Sequence, residues 1–127
     1  MNVTFRLDPS SGVPFYRQII DQILAGIATS SLRAGDQLPT VRALAVDLKV
    51  NLNTVAKAYK ELEIRGVLAT QQGTGTFIAA KEVRRDELER RRQVVQLADE
   101  LLARAGRLGL PPEELVAELK ERLEGGR

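Results

Sequence analysis

One segment, QLPTVRALAVDLKVNLNTVAKAYKELEIRGVLATQQGTGTFI from Gln37 to Ile78, constrains this chain more than any other. Thr40 is placed to cap a short helix from Val41 to Leu48, with Leu44, Ala45 and Leu48 turned inward and Pro39 fixing the approach. Asn51 is placed to cap a second helix from Leu52 to Arg65. Its buried stripe is Val55, Ala58, Tyr59 and Leu62, and Gly66 stops it. Two β-prone runs, Val67 to Gln71 and Thr76 to Ala79, then flank Gln72, Gly73, Thr74 and Gly75, a tip that needs positive φ. Two short helices around a tight turn, followed by a glycine-tipped hairpin, is the order of a winged helix-turn-helix. In such a unit the second helix enters the major groove of duplex DNA.

The rest of the composition is compatible with that reading and excludes several others. A chain of 127 residues holds one compact domain of about 100 to 200 residues, with room for a small appendage. Hydrophobic residues make up 43%, enough for a core, and no stretch approaches the ~20 apolar residues of a membrane helix, so no membrane partner is expected. Cysteine and histidine are both absent. That removes disulfides, the commonest soft metal ligands and the side chains most used as nucleophile or general base. No metal, cofactor or enzymatic activity is expected. The opening MNVTFRLDPSSG lacks a basic start joined to an apolar core, so a cytoplasmic location is expected.

Net charge is only +2, from 19 basic and 17 acidic residues, and would not by itself announce nucleic acid. Its distribution says more. Through Ala80 eight Lys and Arg face six Asp and Glu, whereas from Lys81 onward eleven face eleven. Lys49, Lys57, Lys60 and Arg65 lie on or beside the proposed reading helix. Asn53, Thr54, Lys57 and Lys60 remain on its outward face, with Asn51 at its mouth. Asn can pair bidentately with adenine, Thr can reach phosphate or a thymine methyl, and Lys can neutralise phosphate or reach guanine. The competing reading of the same residues is a helix cap and a solvated face. Arg42 follows the Thr40 cap by two residues, where a helix amino end meets a phosphate backbone. Gly73-Thr74-Gly75 precedes a strand instead of opening a helix, so a hairpin tip whose amides touch phosphate fits better than a nucleotide cradle. Upstream, Phe15, Ile19, Ile20, Ile23, Leu24 and Ile27 recur at spacings of three and four after Pro14, predicting an amphipathic helix that ends near Ser30 and Ser31, with Phe15 and Tyr16 read as core and interface packing.

From Val13 to Ala80 the chain resembles the DNA-binding domain of the GntR regulators. The likeness is carried by PFYRQI, LRAGDQLPTVRALA, NTVAKAYKELE, RGVL and GTGTFI, in that order. By this resemblance Arg42, Asn51, Asn53, Thr54, Lys57 and Gly73 occupy positions where relatives contact operator DNA. Leu52 and Ala56 depart from the family pattern, standing where many relatives carry a basic or polar reading residue, so base preference does not transfer.

After Ala80 only 47 residues follow, fewer than the large effector domain of most relatives, and the short tail is similar to the YtrA branch. From about Glu82 to Arg107, Leu88, Val94, Val95, Ala98, Leu101, Leu102, Ala105 and Leu108 recur at helical spacing behind the charged run RRDELERRR. Gly106, Gly109, Pro111 and Pro112 then read as a break before a second helix, Glu113 to Leu123, with Leu115, Val116, Leu119 and Leu123 on one side. Two such helices either fold back as intramolecular core or pair with a second chain. Pairing is favoured, because a two-fold dimer sets two reading helices roughly 34 to 36 Å apart, matching an inverted repeat. Arg84, Arg85, Arg90, Arg91 and Arg92 read mainly as solvated or ion-paired. The expectation is thus a mainly α chain with a small β-hairpin: a winged helix-turn-helix over 1–80 and a helical dimerisation tail over 81–127. Its expected function is that of a homodimeric repressor on an inverted-repeat operator, and the YtrA resemblance implies a transporter operon. The rival is a module that uses the winged scaffold to dock another protein. No pocket for a small effector is legible in two helices.

Overall fold

A computed structural model describes residues 4–79 and 87–125, and the chain divides into two compact units, 1–81 and 82–127. The first contains α1 (Phe15–Ala28), α2 (Val41–Leu48), α3 (Leu52–Ile64), β1 (Leu68–Gln71) and β2 (Gly75–Ile78). The second contains α4 (Glu87–Leu108) and α5 (Pro112–Gly125). The fold is the mainly helical one expected, a winged helix-turn-helix with a helical carboxy-terminal part. The tail-helix start expected near Glu82, with Arg84 and Arg85, lies outside the described residues.

The core of the first unit forms where the apolar stripes of three helices meet one face of the hairpin. Ile19, Ile20 and Ile23 come from α1, Leu44 and Ala45 from α2, Val55, Ala58, Tyr59 and Leu62 from α3, and Leu68 and Ile78 from the strands. Each fully buried aliphatic side chain contributes about 1.5 to 3 kcal/mol by leaving water. Leu48 is only partly buried, at the edge of this cluster. Three core members, Phe5, Leu32 and Leu38, sit outside any regular element. Phe5 is held there by two glutamines of α1. The Arg6 amide donates to Gln22 Oε1 at 3.0 Å while Gln22 Nε2 donates back to the Arg6 carbonyl at 2.5 Å. Gln18 does the same for Asp8, accepting from its amide at 2.8 Å and donating to its carbonyl at 2.9 Å. Each carboxamide thus takes the place of a neighbouring strand for an extended backbone that has none.

The turns are chemically specific. Thr40 Oγ1 accepts from the Ala43 amide at 3.0 Å, capping α2. At the other end Lys49 adopts the left-handed conformation (φ 58), and the Val50 amide reaches back to the Ala45 carbonyl at 3.1 Å. The same motif closes α3 at Gly66 (φ 80), with Val67 N–H on the Leu62 carbonyl at 2.9 Å. In the hairpin Leu68 pairs with Ile78 and Gln71 with Gly75. Against the expected runs, β1 starts one residue later and β2 is shifted one residue towards the tip, taking in Gly75 and leaving out Ala79, whose amide keeps one bond of 2.9 Å to the Val67 carbonyl. Gln37 bridges Phe77, and the Leu38 amide donates to the Thr76 carbonyl at 2.8 Å, so the segment before α2 runs alongside β2.

In the second unit, Ala105 is the one buried residue among those described in α4 and α5. Two expectations need correction. Gly106 does not break the chain but lies within α4, because a single glycine costs a packed helix only about 1 kcal/mol. The stop comes at Gly109 (φ 69), where Leu110 N–H reaches the Ala105 carbonyl at 2.9 Å. Pro112 opens α5 instead of ending a loop, since the first turn has no use for the amide hydrogen that proline lacks. Arg90 pairs with Glu87 at 2.6 Å, Arg92 with Glu89 at 3.4 Å and Arg122 with Glu118 at 3.1 Å, all exposed pairs within one helix. No described helix is long and apolar enough to cross a membrane.

Candidate nucleic-acid interface

One stripe of α3 carries a row of outward polar side chains. Asn53, Lys57 and Lys60, spaced four and three residues apart, are exposed on the side opposite the buried Val55, Tyr59 and Leu62, and Thr54 is half-buried beside them. Asn51 and Asn53 differ in availability. Asn51 Oδ1 accepts from the Asn53 amide at 2.8 Å, so it serves as the amino-terminal cap of α3. The Asn53 carboxamide has no hydrogen-bond partner among the described residues, which leaves both its donor and its acceptor for a ligand. A bidentate pair with adenine needs both.

Charge on α3 is sorted in a similar way. Arg65 is taken up by Glu61 at 2.9 Å, whereas Lys57 has no ion-pair partner among the described residues and sets its Nζ 4.0 Å from the centroid of the Tyr16 ring. Pro14, Phe15 and Tyr16 at the start of α1, with Asn53, Thr54 and Lys57 of α3, line a shallow cleft of about 400 Å³. Phe15 is therefore not a core residue as read from the sequence. It stays half-buried at the cleft, since the first turn of α1 projects past the cluster that encloses Ile19 and Ile20. Tyr16 is partly buried against the core.

Arg42 is exposed in the first turn of α2, just after the Thr40 cap, and Lys49 is exposed at the turn between the two helices. At the wing, Gly73 (φ 81) lets the chain reverse, and the Thr74 amide closes the turn on the Gln71 carbonyl at 2.9 Å. Thr74 is exposed at the tip, while the Gly73 amide meets no acceptor among the described residues. The tip is fixed from outside the hairpin: Gln37 Nε2 donates to the Thr74 carbonyl at 2.9 Å. A Cβ on Gly75 (φ 135) would come within 2.5 Å of that same Nε2. Tyr59 ties the rear of α3 to the approach to α2, donating to the Pro39 carbonyl at 2.8 Å, and burial pushes its hydroxyl pKa well above the usual tyrosine range. Sequence reasoning missed Tyr16 and Gln37 as site residues. The signal for Tyr16 was a polar-tipped aromatic one residue into a proline-opened helix; for Gln37, whose partner lies 37 residues away, there was none.

An α3 with a capped start, an outward polar stripe and a stapled wing is the geometry of a groove-reading domain, and residues 15–78 match the model of the bacterial regulatory proteins of the gntR family. The chain belongs to the GntR family. It is 39% identical over 116 residues to YhcF of Bacillus subtilis (strain 168), an uncharacterized HTH-type transcriptional regulator, covering 91% of this chain and 95% of that one. It is 46% identical over 74 residues to the HTH-type transcriptional repressor YtrA of the same bacterium, covering 58% of this chain and 57% of that one. The YtrA-like resemblance read from the sequence therefore holds. Among solved structures, the AraR DNA-binding domain in complex with its operator ORX1 superposes with a TM-score of 0.52 at 30% identity, covering 58% of this chain and 92% of that one. Its kin are DNA-binding transcriptional regulators.

Proposed function

We propose that the chain is a homodimeric repressor that occupies an inverted-repeat operator near its own operon. The observation that carries this reading is the exposed stripe of α3, where the unengaged Asn53 carboxamide and the Lys57 ammonium stand side by side. In this reading Asn53 and Thr54 read base edges, Arg42, Lys57 and Lys60 neutralise phosphates, and the Gly73 amide and Thr74 hydroxyl contact the backbone beside the wing. Asn51 contributes mainly by capping the helix that presents the others. Support for dimerisation comes from the tail. Leu88, Val94, Val95, Ala98, Leu101 and Leu102 of α4 are all exposed, as are Leu119 and Leu123 of α5, with Leu115 half-buried. Contiguous apolar faces of this extent mark interfaces on soluble proteins. A two-fold pair would present two copies of α3 to two half-sites. A transporter operon as target rests on the YtrA-like kinship alone.

Selection from a randomised duplex pool with the full chain, followed by light scattering of the free and bound protein across a salt series, tests the proposal. The expected outcome is an inverted repeat, a dimer mass, and affinity that falls linearly with salt on logarithmic axes. Asn53→Ala should relax preference at one base position by about 1 to 3 kcal/mol, while Arg42→Ala should weaken all sequences alike. Equal losses on matched and scrambled duplexes would remove Asn53 from the base readers. Failure to enrich any duplex, with salt-insensitive capture of another protein instead, would favour the docking module.

A further inference from the structure

We propose that Tyr16 is a positioning residue for DNA recognition: its ring holds the Lys57 ammonium beside Asn53 and Thr54, so that the cation meets the phosphate backbone already oriented. The inference rests on the reading of α3 as the recognition helix and adds to it a residue from a different element.

A lysine on a helix surface ordinarily has an ion-pair option four residues on, and here that residue is Glu61. Glu61 is instead engaged by Arg65 at 2.9 Å. Lys57 is thereby left without a carboxylate among the described residues, and its Nζ lies 4.0 Å from the Tyr16 centroid, well inside the roughly 6 Å reach of a cation over a ring face. Arg17 also approaches that ring, but its guanidinium carbon is 5.8 Å away, at the limit of such contacts, so Lys57 is the principal occupant. The ring can act as a fixed platform because Tyr16 packs against the core cluster, while Lys57 itself is exposed. A quadrupole differs from a carboxylate in what it does to the charge. A carboxylate partner would cancel the ammonium and compete with phosphate; an aromatic face localises it and leaves it whole. The rotamer freedom of a long side chain is then lost on folding, and less remains to be lost when DNA binds.

The test uses the full chain and the duplex that it selects from a randomised pool. Tyr16→Leu is expected to weaken binding roughly fivefold and to reduce the slope of log affinity against log salt by about one, as when one phosphate is no longer neutralised. Tyr16→Phe, which keeps the ring and removes only the hydroxyl, is expected to bind like the parent. Lys57→Met should reproduce the loss, and Tyr16→Leu combined with Lys57→Met should lose little more than either alone. A role in folding alone would leave the salt slope unmoved. Losses that multiply in the double variant, or a Tyr16→Phe variant as weak as Tyr16→Leu, would overturn the proposal. A measurement that needs neither variant nor DNA stands beside these: the ε-methylene protons of Lys57 should be shifted upfield by the ring in the parent protein, and their appearance at random-coil positions would also overturn it. If the parent enriches no duplex at all, the recognition-helix reading fails; if it binds and only these Tyr16 effects are missing, that reading stands and the present inference falls.

Discussion

In the winged unit Ile23, Val55 and Leu62 are fully enclosed, whereas Leu102, Leu119 and Leu123 of the tail leave 47% to 63% of their surface exposed. The two regions carry the same kind of stripe, apolar residues at spacings of three and four. What differs is the number of layers available to cover it. Three helices and a hairpin surround the stripes of the first unit on every side. Among the described residues, two helices joined at Gly109 fully bury only Ala105. Periodicity therefore reports which side of a helix is apolar, but the cover depends on what else is present to pack there.

The strongest consequence concerns what covers the tail. Deleting residues 82–127 should yield a monomer by light scattering, with affinity for the inverted repeat reduced by about 100-fold or more once the two half-sites are no longer linked. A truncated chain that still sediments as a dimer would place the interface in the winged unit. Next, Leu62→Ala should lower unfolding stability by about 3 kcal/mol at every protein concentration, whereas the effect of Leu102→Ala should appear in the dimer dissociation constant and so vary with concentration. Equal, concentration-independent losses at both positions would erase the contrast.

Weaker effects probe each unit from within. Removing the hydroxyl with Tyr59→Phe frees the Pro39 carbonyl and should cost about 1 kcal/mol. Burial raises the Tyr59 pKa above its usual 10.0, so the unfolded chain loses this proton first. Its contribution to stability is thus complete below pH 10.0 and erodes as pH climbs beyond it, an erosion that Tyr59→Phe should lack in paired denaturant melts. Last comes a matched pair of helix ends. Lys49 and Gly109 both sit in the left-handed region, at φ 58 and φ 69. Lys49→Gly should raise thermal stability by about 1 kcal/mol and Gly109→Ala should lower that of the tail by a similar amount, because only glycine adopts this conformation without a steric cost.

Much of the winged unit was legible because its signals are local. Thr40, Asn51 and Gly66 act on residues within a few positions of themselves, and the α3 stripe repeats at the helical period. What the sequence did not disclose is long-range. Phe5 lies in the core where Gln18 and Gln22 grip the backbone ahead of α1, and two glutamines on an amphipathic helix look like solvated surface. Gln37 likewise shows no sign of its tie to Thr74. Phe15 was misplaced because aromatic character was allowed to outweigh its position in a first turn. In the tail, Gly106 and Pro112 were read by their reputation as helix breakers, although the interior of a long helix tolerates the one and a first turn welcomes the other. At the interface, the candidate residues were legible as polar positions on α3, but which amide is occupied and which is free became visible only with coordinates.

Four consecutive residues, Gln37 to Thr40, together answer to three different elements. Gln37 and Leu38 are bonded to the wing, the Pro39 carbonyl receives Tyr59 of α3, and Thr40 begins α2. This short tract works as a common gauge that sets the hairpin, α3 and α2 to one scale. Inserting a single residue there would throw all three out of step at once while leaving every side chain of the exposed α3 stripe in place.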